Sequence, residues 1–194
     1  EILIFNHLFC YKFALIKVEM KKTIFLIGYM GSGKSRLGKN LSNSISYSFY
    51  DLDNFITTNE GVTINEIFDK KKELYFRTIE KEYLKELINK KENKVISLGG
   101  GTPCYSDNMD MILNTNDSIS IYLNRSIDFL VERLYHKIYS RPLISHLKSK
   151  EELKEFISKH LFERNNYYLK STKVFNSNTS NIDENIKGLM DLLS

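Results

Sequence analysis

One stretch constrains this chain more than any other: Gly28-Tyr-Met-Gly-Ser-Gly-Lys34-Ser35, which reads G-x-x-x-x-G-K-[ST]. That is the pattern of a loop that cradles a polyphosphate. Its flanks suit it. The run Thr23–Ile27 before the loop is short, apolar and β-rich, so it predicts a buried strand. After the loop, Leu37, Leu41 and Ile45 recur at helical spacing. Glycines at 28, 31 and 33 let successive backbone N–H groups face phosphates at a helix N-terminus. Lys34 would neutralise β- and γ-phosphate oxygens, and the Ser35 hydroxyl would hold Mg²⁺. The alternative is a chance match, and the strand–loop–helix context counts against it.

The chain is 194 residues long, which suits one domain with a sizeable core. A hydrophobic content of 42% beside 27% charge is that of a soluble globular protein. Basic residues exceed acidic ones by 28 to 24, and this net charge of +4 is too mild for a nucleic-acid surface. It suits anionic small molecules, with neither nucleic acid nor membrane as partner. The cysteines are Cys10 and Cys104, so no disulfide framework is expected, and a reducing, cytoplasmic setting is. Histidines 7, 136, 146 and 160 lack metal-ligand spacing and read as surface residues. Residues 1–19 are apolar but broken by Asn6, His7 and Lys12, too short and mixed for a transmembrane helix. We expect Met20 to be the start, 1–19 an upstream extension and 20–194 a single domain.

Further apolar runs predict strands at 47–50, 94–98, 119–123 and 173–175. Helical patterns lie at 64–68, 73–90, 127–138, 151–170 and 183–193. Such alternation predicts a parallel sheet with helices on both faces, and ligands beyond the carboxyl ends of its strands. Asp51 and Asp53 end the second strand, where alternate residues of an extended segment face one cleft. One carboxylate would serve Mg²⁺ and the other the attacking hydroxyl; alternatively one of them caps the next helix. Arg77 has Glu73 and Glu80 at helical spacing, which is equally the pattern of a solvated ion-pair face. Gly99-Gly100-Gly101 follows the third strand and allows either a close ligand approach or a flexible turn. Arg141 lies in a polar connection, Arg164 near a helix end, and Cys104 reads as an unreactive thiol.

Together these motifs resemble shikimate kinase in their order. The phosphate loop is followed by Asp-x-Asp at 51–53, Phe-Arg-x-x-Glu at 76–80 and Gly-Gly-Gly at 99–101. Arg-Pro-Leu at 141–143 and Arg-x-x-x-Tyr at 164–168 complete the series, and the resemblance runs from residue 20 to the C-terminus. It implies an α/β P-loop kinase like the nucleoside monophosphate kinases. Their central five-stranded parallel sheet has the order 2-3-1-4-5, is flanked by helices and carries a mobile lid. It implies a monomeric, cytoplasmic enzyme that uses Mg²⁺ and moves the γ-phosphoryl of ATP to the 3-hydroxyl of shikimate, on the route to chorismate and the aromatic amino acids.

The same resemblance assigns residues. Gly31, Ser32, Gly33, Lys34, Ser35 and Arg36 would hold ATP, with Arg133 at the adenine and segment 176–182 as the adenine-side loop. Arg141 would ride on the lid at 139–150. Ser35 and Asp51 would take the metal, and Lys34, Asp53 and Arg141 would be catalytic. Asp53, Arg77, Gly99, Gly100, Gly101 and Arg164 would bind shikimate, in a pocket shaped by Phe68, Phe76 and Glu80. The chemistry agrees: planar guanidinium forks suit a ring carboxylate, and a carboxylate acceptor suits hydroxyls. There is no Trp and no aromatic array for a nucleobase acceptor. Two positions depart from the family pattern, Asn166 where Pro is frequent and Lys72 where Gly is common. The rivals are a gluconate- or nucleotide-directed kinase of the same fold and a non-catalytic ATP-binding regulator.

Overall fold

The computed structural model describes residues 21–194; the expectations placed on 1–19, Met20, His7 and Cys10 lie outside the described residues. Along the chain run β1 (Thr23–Ile27), α1 (Lys34–Ser44), β2 (Ser48–Asp51), α2 (Leu52–Glu60), α3 (Ile64–Asn89), β3 (Lys94–Ser97), α4 (Asn108–Leu113), β4 (Ser118–Asn124), α5 (Ile127–Tyr135), α6 (Lys150–Tyr168), β5 (Lys173–Asn176) and α7 (Ile182–Leu193), with 3-10 turns at Thr102–Cys104 and Ile138–Ser140. The strands form one parallel sheet in the order β2-β3-β1-β4-β5, as expected.

The period of two in a strand decides where each side chain goes. In β1, Phe25 and Ile27 enter the larger core, while Ile24 and Leu26 enter the smaller one on the other face. In β3, Ile96 and Val95 divide in the same way. The smaller core is closed by Leu37 and Leu41 of α1 and Leu189 of α7. The larger is closed by α2, α3, α5 and α6, through Leu52, Leu84, Leu130 and Ile157 among others. Both faces are covered, and every connection returns to the same end, so the loops after β1, β2 and β3 meet above the sheet.

Several boundaries differ from expectation for local reasons. No helical pattern announced α2, whose Asp, Asn and Thr residues are modest helix formers. It forms because the Asp51 carboxylate caps the Asn54 N–H at 3.2 Å, Gly61 ends it, and Leu52 and Ile56 bury one face. The six-residue α4 was too short to show a period. The break expected between the helices at 64–68 and 73–90 is present: α3 leaves helical geometry at Lys72, whose backbone has φ 68° and ψ 172°. The first part starts on a capping box between Thr63 and Glu66. Helix α5 stops at Tyr135 rather than at 138, and Ile138 turns into the core from a 3-10 turn.

Candidate active site

The phosphate loop joins β1 to α1. Lys34 is buried, and its ammonium donates to the carbonyls of Gly28 at 2.7 Å and Tyr29 at 3.0 Å. Burial lowers its pKa to about 8; Asp53 and Asp51 oppose that shift, while Arg141 and Arg164 add to it. Lys34 therefore feels every charged group assigned to catalysis. Two buried polar atoms here lack a hydrogen-bond partner among the described residues: the Ser32 hydroxyl and Arg141 Nε. Orphaned donors beside a phosphate loop are what an anion would satisfy. On the outer side, Arg133 Nη1 lies 3.5 Å from where a Cβ on Gly33 would stand. Arg36, Arg133, Thr179 and Ser180 line the pocket that continues from this loop. Burial lowers the Arg133 pKa, and the neighbouring cations Arg36 and Arg141 lower it further.

Asp51 takes the capping role that was its alternative reading, and it also meets Ser35. One carboxylate oxygen caps α2, and the other accepts the Ser35 hydroxyl at 2.5 Å. Two hard oxygen groups at the loop fit Mg²⁺, which keeps several waters and takes substrate phosphate oxygens instead of a full protein cage. In keeping with that, no group of three His, Cys, Asp or Glu residues among the described residues forms a metal cage.

The expectation that Asp51 and Asp53 alternate on one extended segment is corrected: β2 ends at Asp51, and Asp53 lies in the first turn of α2. Burial first and then the Asp51 carboxylate raise the Asp53 pKa to about 6. The three glycines after β3 each abut one neighbour of the site. A Cβ on Gly99 would stand 3.0 Å from an Asp53 oxygen and 2.8 Å from the Thr102 hydroxyl. One on Gly101 would stand 3.0 Å from Arg77, and one on Gly100 lies 3.8 Å from Arg164. Close approach, not a flexible turn, is why no side chain fits at Gly99.

Arg77 is not on a solvated ion-pair face. It pairs at 2.8 Å with Glu80, which is 1% exposed and accepts the Thr102 hydroxyl at 2.6 Å. Glu73 meets its other edge at 3.3 Å, and the Tyr105 ring covers the guanidinium at 3.6 Å. The Phe76 ring lies 5.1 Å from that guanidinium and 4.7 Å from the Phe68 ring, so the expected pocket walls are adjacent. Burial works against the Arg77 charge, yet Glu80, Tyr105 and Glu73 together outweigh it and leave the pKa raised. Arg164 projects from α6 and donates to the Gly100 carbonyl at 3.4 Å; the Tyr168 hydroxyl donates to the same carbonyl.

Other readings need adjustment. The connection carrying Arg141 is not simply polar, since Ile138 and Ile144 anchor it in the core. His160 is not a plain surface residue. Its Nδ1 lies 3.3 Å from the Tyr29 hydroxyl, and its ring packs 4.1 Å from Phe156. Tyr29 belongs to the phosphate loop, and Arg164 stands over its ring at 5.7 Å. His136 and His146 are exposed as expected. Burial pushes the Cys104 thiol up to about 11, in line with an unreactive role. Sequence reasoning missed Tyr105 and Arg125, and it named Tyr168 only as the end of the Arg-x-x-x-Tyr motif. Tyr105 follows the glycine run within four residues, while Arg125 carries no motif at all.

These features can be set beside known proteins. The family model described as shikimate kinase matches residues 30–194. The shikimate kinase of Flavobacterium johnsoniae is 44% identical over 171 residues, which is 88% of this chain and 98% of that protein. That of Flavobacterium psychrophilum is 48% identical over 147 residues, 76% of this chain and 84% of that one. Among solved structures, shikimate kinase from Bacteroides thetaiotaomicron superposes with a TM-score of 0.79 at 35% identity, over 88% of this chain and 97% of that one. Shikimate kinase from Acinetobacter baumannii in complex with shikimate gives 0.77 at 27% identity, over 88% and 92%.

Proposed function

The chain belongs to the shikimate kinase family, and on that premise we propose how its residues divide the work of the reaction. It is an enzyme that phosphorylates shikimate with ATP as co-substrate, a step of aromatic biosynthesis. In our reading the acceptor is the 3-hydroxyl. Its oxygen attacks the γ-phosphorus, its proton passes to an Asp53 carboxylate oxygen, and the bond from phosphorus to the leaving ADP oxygen breaks. Lys34 and Arg141 answer the charge on the transferring group, where fixed cations act most strongly. The N–H groups of Gly31, Ser32, Gly33, Lys34, Ser35 and Arg36 cradle the phosphates, and Arg133 faces the adenine. Ser35 and Asp51 would hold Mg²⁺, which would supply positive charge against the phosphates.

Arg77 and Arg164 take the ring carboxylate, while Gly99, Gly100 and Gly101 leave room for the ring. One observation carries this division: two guanidiniums and a carboxylate of raised pKa converge on one glycine cradle at the mouth of the phosphate loop. That set is complementary to an acid with hydroxyls and not to a nucleobase, and the family match favours shikimate over gluconate. The cysteine usage supports a cytoplasmic setting, and no helix among the described residues is long and apolar enough to cross a membrane. An ADP-release assay offering shikimate, gluconate and nucleoside monophosphates tests the assignment. Turnover should require shikimate and fall at least a hundredfold in a folded Lys34→Ala protein; full activity there would remove Lys34 from the mechanism.

A further inference from the structure

Arg125 lies one residue beyond β4 and is 4% exposed. Its Nε donates to the Ser32 carbonyl at 3.2 Å, one terminal nitrogen to the Ser177 carbonyl and the other to the Asn185 side chain at 2.9 Å. These acceptors belong to the phosphate loop, to the segment after β5 and to the first turn of α7. Asn185 extends the clamp by donating to the carbonyls of Thr179, at 3.1 Å, and Asn181. All three acceptors of Arg125 are uncharged, and no ion pair among the described residues engages it. Removing a cation from water with neutral partners only is a poor way to gain stability, so the contacts themselves call for a role.

The bond to Ser32 has a directional consequence. A trans peptide points its C=O and the following N–H in opposite directions. Holding the Ser32 carbonyl toward Arg125 therefore turns the Gly33 N–H away from Arg125. Gly33 has φ 98°, and glycine leaves the alternative peptide orientation open. Without a partner on that carbonyl the peptide can flip and withdraw a donor from the cradle.

We propose that Arg125 is a positioning residue for the nucleotide: it locks the Ser32–Gly33 peptide with its N–H facing the phosphates and fixes the 177–181 segment at a set distance from them. This rests on the nucleotide site placed above. The test is calorimetry with inorganic tripolyphosphate and with a non-hydrolysable ATP analogue. Arg125→Met, which keeps the bulk without the donors, should weaken both ligands tenfold or more and leave the KM for shikimate within twofold. A clamp serving stability alone would lower Tm and leave both affinities of the folded protein unchanged, which overturns the proposal. Loss confined to the ATP analogue, with tripolyphosphate unaffected, overturns the peptide lock as well. If Arg125→Met does not fold, Arg125→Lys replaces it. A single ammonium cannot span three divergent acceptors, so threefold or greater loss of tripolyphosphate is expected, and wild-type affinity refutes the idea. Lys34→Ala in the same assay separates the two claims: if that variant binds tripolyphosphate normally, the nucleotide site itself is misplaced.

Discussion

At the scale of single residues, two groups are shifted toward each other from opposite ends of the pH range. Asp53 is raised to about 6 by burial and Asp51, and Lys34 is lowered to about 8 by burial. Asp53 must be ionised to accept the hydroxyl proton, so kcat/KM for shikimate should fall as pH drops through about 6. Lys34 must be protonated to answer phosphate charge, so the same quantity should fall as pH rises through about 8. The free enzyme should thus show a bell with limbs near those values. In Asp53→Asn the amide keeps the shape but cannot take the proton, and general-base contributions of about 10²–10⁴-fold should be lost from kcat. The acid limb should vanish with them; a limb that persists in Asp53→Asn belongs to another group. Both residues were legible in the sequence, because a phosphate-loop lysine and an Asp-x-Asp stand in recognisable frames. Arg125 was not, since its partners are 93, 52 and 60 residues away and two of them are backbone carbonyls.

At the scale of elements, α3 kinks at Lys72, where the sequence pattern already separated two helices and departed from the family's Gly. Lys72 adopts φ 68° and ψ 172°, a region that glycine enters freely and other residues at a cost of about 1–3 kcal/mol. The kink lies five residues before Arg77, on the stretch that aims it. Lys72→Gly should relieve the strain and give back up to about 1 kcal/mol in unfolded-chain entropy. A net gain of about 1 kcal/mol is expected, seen as a Tm higher by roughly 2–4 °C; a lower Tm would mean that the lysine side chain offsets its own strain.

The segment at 139–150 makes a second case. Its apolar spacing was too sparse to reveal that Ile138 and Ile144 are buried at its base. Exposing each isoleucine costs about 1.5–3 kcal/mol, so closure should be centred between these anchors, where Arg141 sits. Hydrogen exchange should show protection at 139–143 rising when nucleotide analogue and shikimate are both bound, with the anchors protected throughout. Arg141→Ala should cut kcat by about 10³-fold, at the lower end for arginines that serve phosphoryl transfer, while changing the dissociation constant for ATP much less. Equal protection of 139–143 in the free protein would return Arg141 to a static role. The sheet itself was plain from sequence, because buried parallel strands are continuous apolar runs. The helices that escaped, α2 and α4, have nine and six residues, too few for a periodic face to repeat visibly.

At the scale of the whole molecule, the parallel sheet brings the loops after β1, β2 and β3 to one edge, and α6 lies across that edge. The phosphate loop touches α6 through Tyr29, whose hydroxyl meets His160 and whose ring underlies Arg164. Arg164 in turn reaches the Gly100 carbonyl of the acceptor side. One side chain of the nucleotide loop therefore rests against Arg164, the residue proposed to take the acceptor's acid. Thermodynamics makes that contact a two-way account: whatever factor nucleotide analogue applies to shikimate affinity, shikimate must apply to nucleotide affinity. Typical energies of about 1–3 kcal/mol correspond to roughly 5–150-fold. Titrating each ligand with and without the other should close this thermodynamic square in the wild type. Tyr29→Leu should shrink the factor equally along both routes, with each first binding step much less affected. A factor that is unchanged in Tyr29→Leu would mean that the two halves of the site communicate through the bound ligands themselves and not through the protein.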